Sequence, residues 1–161
     1  MSGERRELTL RFLAEPGDVN FGGKVHGGAV MKWIDQAGYA AAVGWSGHYS
    51  VTVAVGGIRF VAPIRIGDLV AITAKLVHTG NTSMHFAIDV RARDPMQGEE
   101  RLCTHCVIVF VAMADGVPAL VPGWQPDCDE DRRLAEYAQK VMALSKDIEQ
   151  TVAHYRAPLA Q

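Results

Sequence analysis

A single change of period constrains this chain more than any other feature. Val30, Ile34, Ala37 and Ala41 recur at helical spacing, whereas the apolar runs between Val51 and Met113 read as strands. A chain with one apolar helix and several strands buries that helix against the sheet, which is an α+β layer architecture. The strand-like runs are LTLRFLA (Leu8 to Ala14), VTVAVGGIRFV (Val51 to Val61), LVAITAKLVHT (Leu69 to Thr79), TSMHFAIDVRA from Thr82, and RLCTHCVIVFVAM from Arg101. In the fourth run Met84, Phe86, Ile88 and Val90 share one face, and Ser83, His85, Asp89 and Arg91 share the other. The intervening turns, PIRIGD and DPMQGEE, are short, so neighbouring strands are antiparallel. The pair Gly56-Gly57 predicts a bulge in the second run, and Gly44 is the expected helix stop.

The last segment predicts a second helix, capped by Asp127 or Asp129, with acidic residues in its first turn. The chain therefore divides into a sheet-and-helix domain, residues 1–126, and a helical tail, residues 127–161. Leu134, Val141, Ile148 and Tyr155 repeat every seven residues in that tail, with Tyr137 and Leu144 between them. Two readings of this stripe stand: it packs on the protein's own body, or it meets another subunit.

Composition narrows the function classes. With 161 residues the chain suits one domain plus a tail, and 48% hydrophobic residues suffice for a core. The net charge is -2 and no basic stripe is present, which argues against nucleic-acid binding. Three cysteines, Cys103, Cys106 and Cys128, form no disulfide framework and point to a reducing compartment, the cytoplasm. Neither a leader nor a membrane span is expected. The CTHC run (Cys103 to Cys106) imitates a metal motif, but strand alternation sends its two thiols to opposite faces and no second ligand pair accompanies it. No metal is expected.

Asp35 is the residue that needs explaining, because it sits at the margin of the apolar helix face. A solvated pair with Lys32 is one account. The preceding loop supplies another. Gly22, Gly23, Gly27 and Gly28 let the backbone approach a ligand closely. The free N–H groups of Gly27 and Gly28 open the helix and suit an anion or a developing oxyanion. Asp35 follows roughly 12 Å further along the axis, too far to serve the same helix end. That distance points to a site shared between two subunits.

The run NFGGKVHGG followed by MKWID, then VTVAV, IRFVAPIRIGD and TGNTSM, resembles a hotdog-fold acyl-CoA thioesterase of the acyl-CoA hydrolase (YciA-like) branch. The similarity extends from about Pro16 to Pro122. It implies a long central helix wrapped by an antiparallel sheet of about five strands, followed here by the C-terminal helix. It implies two subunits joining their sheets, active sites at the dimer interface, and further assembly into a hexamer (trimer of dimers) or a tetramer. It implies Asn20 and Asp35 as the catalytic pair, one from each subunit. No cofactor is implied, since coenzyme A is part of substrate and product. One difference is visible: the family often carries an acidic residue after VTVAV, where this chain reads Gly56-Gly57.

The residues then take these expected roles. Asp35 is a general base on water, or attacks directly through an anhydride, and apolar surroundings strengthen it. Gly27, and secondarily Gly28, holds the oxyanion. Asn20 orients water or the thioester, or forms an Asx turn. His26 is held by backbone contacts or touches substrate. Thr52 reaches the site from its strand or serves only the strand. Arg59 and Arg65 meet phosphate or stay solvated. By resemblance, Asn81, Thr82 and Ser83 line the coenzyme site. Met31 and Trp33 serve the acyl pocket or the core. Two other functions share these features: a hotdog enoyl-CoA hydratase or dehydratase, which typically needs a catalytic histidine, and a non-catalytic acyl-CoA sensor.

Overall fold

Alternation decides which side of the sheet each residue covers, and the computed structural model shows the result for residue 3 and residues 5–158. The outermost residues of the two expected segments, 1, 2, 4 and 159–161, lie outside the described residues. The chain order is β1 (Glu7–Leu13), a 3-10 turn (Pro16–Asp18), α1 (Gly27–Ser46), β2 (Tyr49–Phe60), β3 (Leu69–Thr79), β4 (Ser83–Arg93), β5 (Arg101–Ala114), β6 (Val117–Pro118) and α2 (Asp129–Arg156). The sheet order is β1-β3-β4-β5-β2, with the short β6 beside β5. All pairings are antiparallel. The 3-10 turn and β6 had no sequence signal stronger than the turn residues around them.

On β4, Met84, Phe86, Ile88 and Val90 are fully buried. They face α1, whose Val30, Ile34, Ala37 and Ala41 complete the same core. Each buried Val or Ile contributes roughly 1.5–3 kcal/mol relative to exposure. Gly38 sets how closely the helix approaches. A Cβ there would stand 2.7 Å from Phe110 Cε2 and 3.2 Å from Ile108 Cγ2. The helix does not stop at Gly44. It runs on to Ser46, and Gly47 donates its N–H to Val43 O at 2.8 Å. Tertiary packing explains the extension: Trp45 is buried and donates its indole N–H to Pro122 O at 2.9 Å.

The second helix packs on the opposite face of the sheet. Its N-cap is Cys128, and neither Asp127 nor Asp129 caps it; Asp129 instead lies in the first turn. Asp131 locks the helix start. Its carboxylate pairs with the Arg6 guanidinium at 2.6 and 2.8 Å, which holds the carboxyl below the usual range. Ala138 packs with Val77 and Val107. Further along, the glycine pair accounts for the fit. A Cβ on Gly56 would lie 2.5 Å from Met142 Cε and 2.9 Å from Val141 Cγ1. The expected bulge is present as a register shift between Gly56 and Arg59. A second shift falls between Thr52 and Ala54.

Candidate active site

Thr52 pairs with Phe110 across β2 and β5, so both face α1. From there Thr52 donates its hydroxyl to Asp35 Oδ1. Among the described residues Lys32 forms no ion pair with Asp35. The carboxylate is held from the sheet, not by its helix neighbour. It is exposed in the protomer, so the enclosing apolar surroundings expected around it are not supplied by one copy of the chain.

The start of the same helix carries the other candidate residues. The N-cap residue is His26, which makes no side-chain cap; its N–H donates to Asp18 O at 2.7 Å. The imidazole lies at the exposed surface, and among the described residues it has no hydrogen-bond partner. The N–H groups of Gly27 and Gly28 come first in the helix and have no intrahelical acceptor. Asn20 forms an Asx turn, with Oδ1 accepting from the N–H of Gly22 at 2.9 Å and of Lys24 at 3.3 Å. The amide carries two further donors on Nδ2. Beside Gly27 lies a slot of about 310 Å³ walled by Val30, Phe60, Ala62 and Ile64, with Lys24 at its edge. Lys24 bridges backbone-to-backbone to Arg65, which puts two cations near the helix start. Lys24 is not among the residues that the sequence singles out. Its only signal was a positive charge inside a glycine loop.

Other expected site residues lie elsewhere. Arg59 pairs with His105 and shares its face, the α2 side of the sheet. Arg59 and Arg65 therefore do not converge. Asn81 and Thr82 use their carbonyls to accept from Val121 and Ala112, both at 3.0 Å. Ser83 lines a cavity of about 560 Å³ under α2, with His85, Val53, Val55 and Met142. Met31 is 49% exposed and takes no core role. Trp33 packs edge-on against Phe12, centroids 4.8 Å apart.

The two thiols of CTHC do not take opposite faces. A register shift between Val90 and Arg91 puts an extra residue into β5, and Cys103 and Cys106 join the same core. Burial raises both thiols, Cys106 to about 12, so neither is a ready thiolate. Among the described residues, one group places metal-type ligand atoms together, Asp127, Cys128 and Asp131. Asp131 there already serves Arg6.

Comparisons with known proteins show the family and the fold. The Thioesterase superfamily profile matches residues 22–99. The acyl-CoA thioester hydrolase YciA of Salmonella typhimurium is 36% identical over 121 residues, which cover 72% of this chain and 90% of the relative. The chain belongs to this thioesterase family. A solved apo-hexameric acyl-CoA thioesterase superposes with a TM-score of 0.85 at 28% identity, covering 92% of this chain and 96% of that one. The acyl-CoA hydrolase of Staphylococcus aureus, solved with butyryl coenzyme A, coenzyme A and coenzyme A disulfide, gives 0.83 at 25% identity, covering 98% and 99%. The architecture described above is the hotdog fold of these thioesterases. Among the described residues no helix is long and apolar enough to cross a membrane.

Proposed function

We propose that this chain is an acyl-CoA thioesterase, hydrolysing acyl-CoA to a free acid and coenzyme A at a site completed by two copies. The observation that carries the two-copy reading is the separation of its halves. Asp35 and the free N–H groups of Gly27 and Gly28 lie on one helix, roughly 12 Å apart, so one copy supplies the carboxylate and the other the anion cradle. The open edge of the sheet supports the pairing. β2 is a terminal strand and exposes Tyr49, Val53, Val55 and Phe60, a long apolar edge of the kind proteins cover. The relatives are thioester hydrolases, and hexamers occur among the solved structures. A hexamer built from such dimers is the assembly we propose here.

In this scheme Asp35 takes a proton from water as the water oxygen attacks the thioester carbonyl. The oxyanion forms against the N–H groups of Gly27 and Gly28. Collapse breaks the C–S bond, and the proton held by Asp35 returns to the departing sulfur. A thiol of pKa roughly 8.5 leaves with little acid assistance, so no histidine or metal is required. Asn20, anchored by its Oδ1, offers its amide donors to the water or the carbonyl. The slot beside Gly27 takes apolar substrate, and Lys24 and Arg65 offer charge to a phosphate. Cys103, Cys106 and Cys128 are all free thiols, which suits a reducing cytoplasm.

The test is thiol release from acyl-CoAs of short to long chain, by wild type and Asp35→Asn side by side. Release that collapses in the variant, with the assembly unchanged, is the expected result. Full release by the variant overturns the scheme.

A further inference from the structure

The second helix is longer than the sheet beneath it. It starts over β3, where Asp131 meets Lys75 at 3.9 Å. It passes β5, where Tyr137 Oη meets His105 Nε2 at 2.8 Å. It reaches β2, where Val141, Met142 and Ser145 close on Gly56. β2 is the last strand of the sheet. Lys146, Ile148 and Glu149 still border the cavity shared with Val53, Val55 and His85, and α2 runs on from there to Arg156, so the helix from Lys146 onward spans ~16 Å.

The apolar stripe does not end where the sheet ends. Leu134, Ala138, Val141 and Met142 pack inward. The same phase carries on as Leu144, Ile148, Val152 and Tyr155, which are 63%, 65%, 41% and 88% exposed. An exposed helix with no function for that face carries polar residues there. This face is apolar: Ile148 borders the cavity lined by Val53 and Val55 of the β2 edge, and the rest of the face meets the solvent. Both uncovered surfaces thus adjoin one line, the free edge of β2.

We infer that the overhanging half of α2 is a clamp for a second copy of this chain, which joins along β2. The inference rests on the two-copy reading above. A two-fold axis along the β2 edge makes the contact isologous, so each overhang crosses the seam onto the other copy's helical face. Pairing of two strand edges alone covers a narrow band, whereas a stable interface covers about 800 Å² on each partner. The two overhangs widen that band from the α2 side. The glycines Gly56-Gly57 serve this arrangement by letting the helix descend to the sheet at its edge. The stripe is therefore split in use: its first half packs on its own body and its second half on the partner.

The double variant I148D/V152D tests the clamp, with Gln150→Asp on the opposite helix face as control. Light scattering after size exclusion is measured over a dilution series of the full chain. The double variant is expected to dissociate at about 10- to 100-fold higher concentration than wild type, with helix content unchanged and the control like wild type. Amide exchange of residues 146–156 in wild type gives a second readout that needs no variant. Protection there is expected to fall as dilution produces monomer. A dimer unaffected by the double substitution, or protection independent of dilution, overturns the clamp. So does loss of a larger assembly with the dimer intact, since the stripe then joins dimers to one another. A wild-type chain that is monomeric yet releases thiol overturns the two-copy site itself, which is a separate failure.

Discussion

Thr52 on β2 holds the carboxylate of Asp35 on α1, seventeen positions earlier in the chain. The hydroxyl fixes one oxygen of the carboxylate and leaves the other for water. Thr52→Val keeps the shape and removes the donor. Its expected effect is a fall of about 10- to 100-fold in the turnover of thiol release, with the Michaelis constant little changed, since misplacing a catalytic group is costly. Asp35→Asn should cost more, about 10²- to 10⁴-fold. Equal losses in Thr52→Val and Thr52→Ser would refute the hydroxyl's role.

Two glycines of α1 should respond oppositely to alanine. At Gly44 an added methyl meets nothing within 4 Å, and helix propensity predicts a gain of about 1 kcal/mol. At Gly38 the methyl meets Phe110 at 2.7 Å, and overpacking predicts a loss of about 1–3 kcal/mol. Urea unfolding of both variants checks the pair.

Gly56→Val places a branched side chain where Met142, Ser145 and Val141 already lie. The helix must lift or the strand must move. The expected outcome is a loss of about 1–3 kcal/mol and faster amide exchange across residues 137–145. Unchanged exchange there would mean that α2 is not seated through this contact.

Stability should fall on mild acidification through His85. This residue lies under α2, edge-on to His78 at 5.0 Å. Burial, then the nearby charges of His78 and Lys146, lowers it from 6.5 to about 4. Below 6.5 the unfolded chain takes up a proton that the folded chain refuses. The stabilisation is therefore complete above 6.5 and is lost as the pH falls toward 4, on the order of 2 kcal/mol in all once solvent screening of this partly exposed ring is included. Asp89, held low by its hydrogen bond to His105, loses its own contribution only at lower pH. Unfolding free energies measured across that window, in wild type and His85→Gln, separate the effect. A wild-type protein that gains stability on acidification contradicts it.

Much of the fold was legible because its periods are clean. The residues Met84 to Val90 alternate without interruption, and β3 matches its expected bounds of Leu69 and Thr79. The misplaced features follow from non-local causes. Gly44 reads as a stop, yet Trp45 has a distant partner in Pro122 that carries the helix past it. Alternation puts Cys103 and Cys106 apart, and a bulge set by pairing with β4 brings them to one core. The glycine loop and Asp35 marked a candidate site through their chemistry. That Thr52 reaches Asp35 depends on β2 lying beside β5 at the end of the sheet, which spacing along the chain does not encode.

The two bulges in β2 have a consequence beyond packing. A strand of twelve residues at an open edge, apolar on its exposed side, invites any extended peptide to add to it. Each bulge interrupts the regular ladder and turns the strand. A straight foreign strand finds matching donors and acceptors over only a few residues before it falls out of step. A chain bent at the same two places stays in step throughout. In the proposed dimer along β2, the irregularities at Val53 and at Gly57 act as a lock cut for one key, favouring the protein's own copy over unfolded and nascent chains.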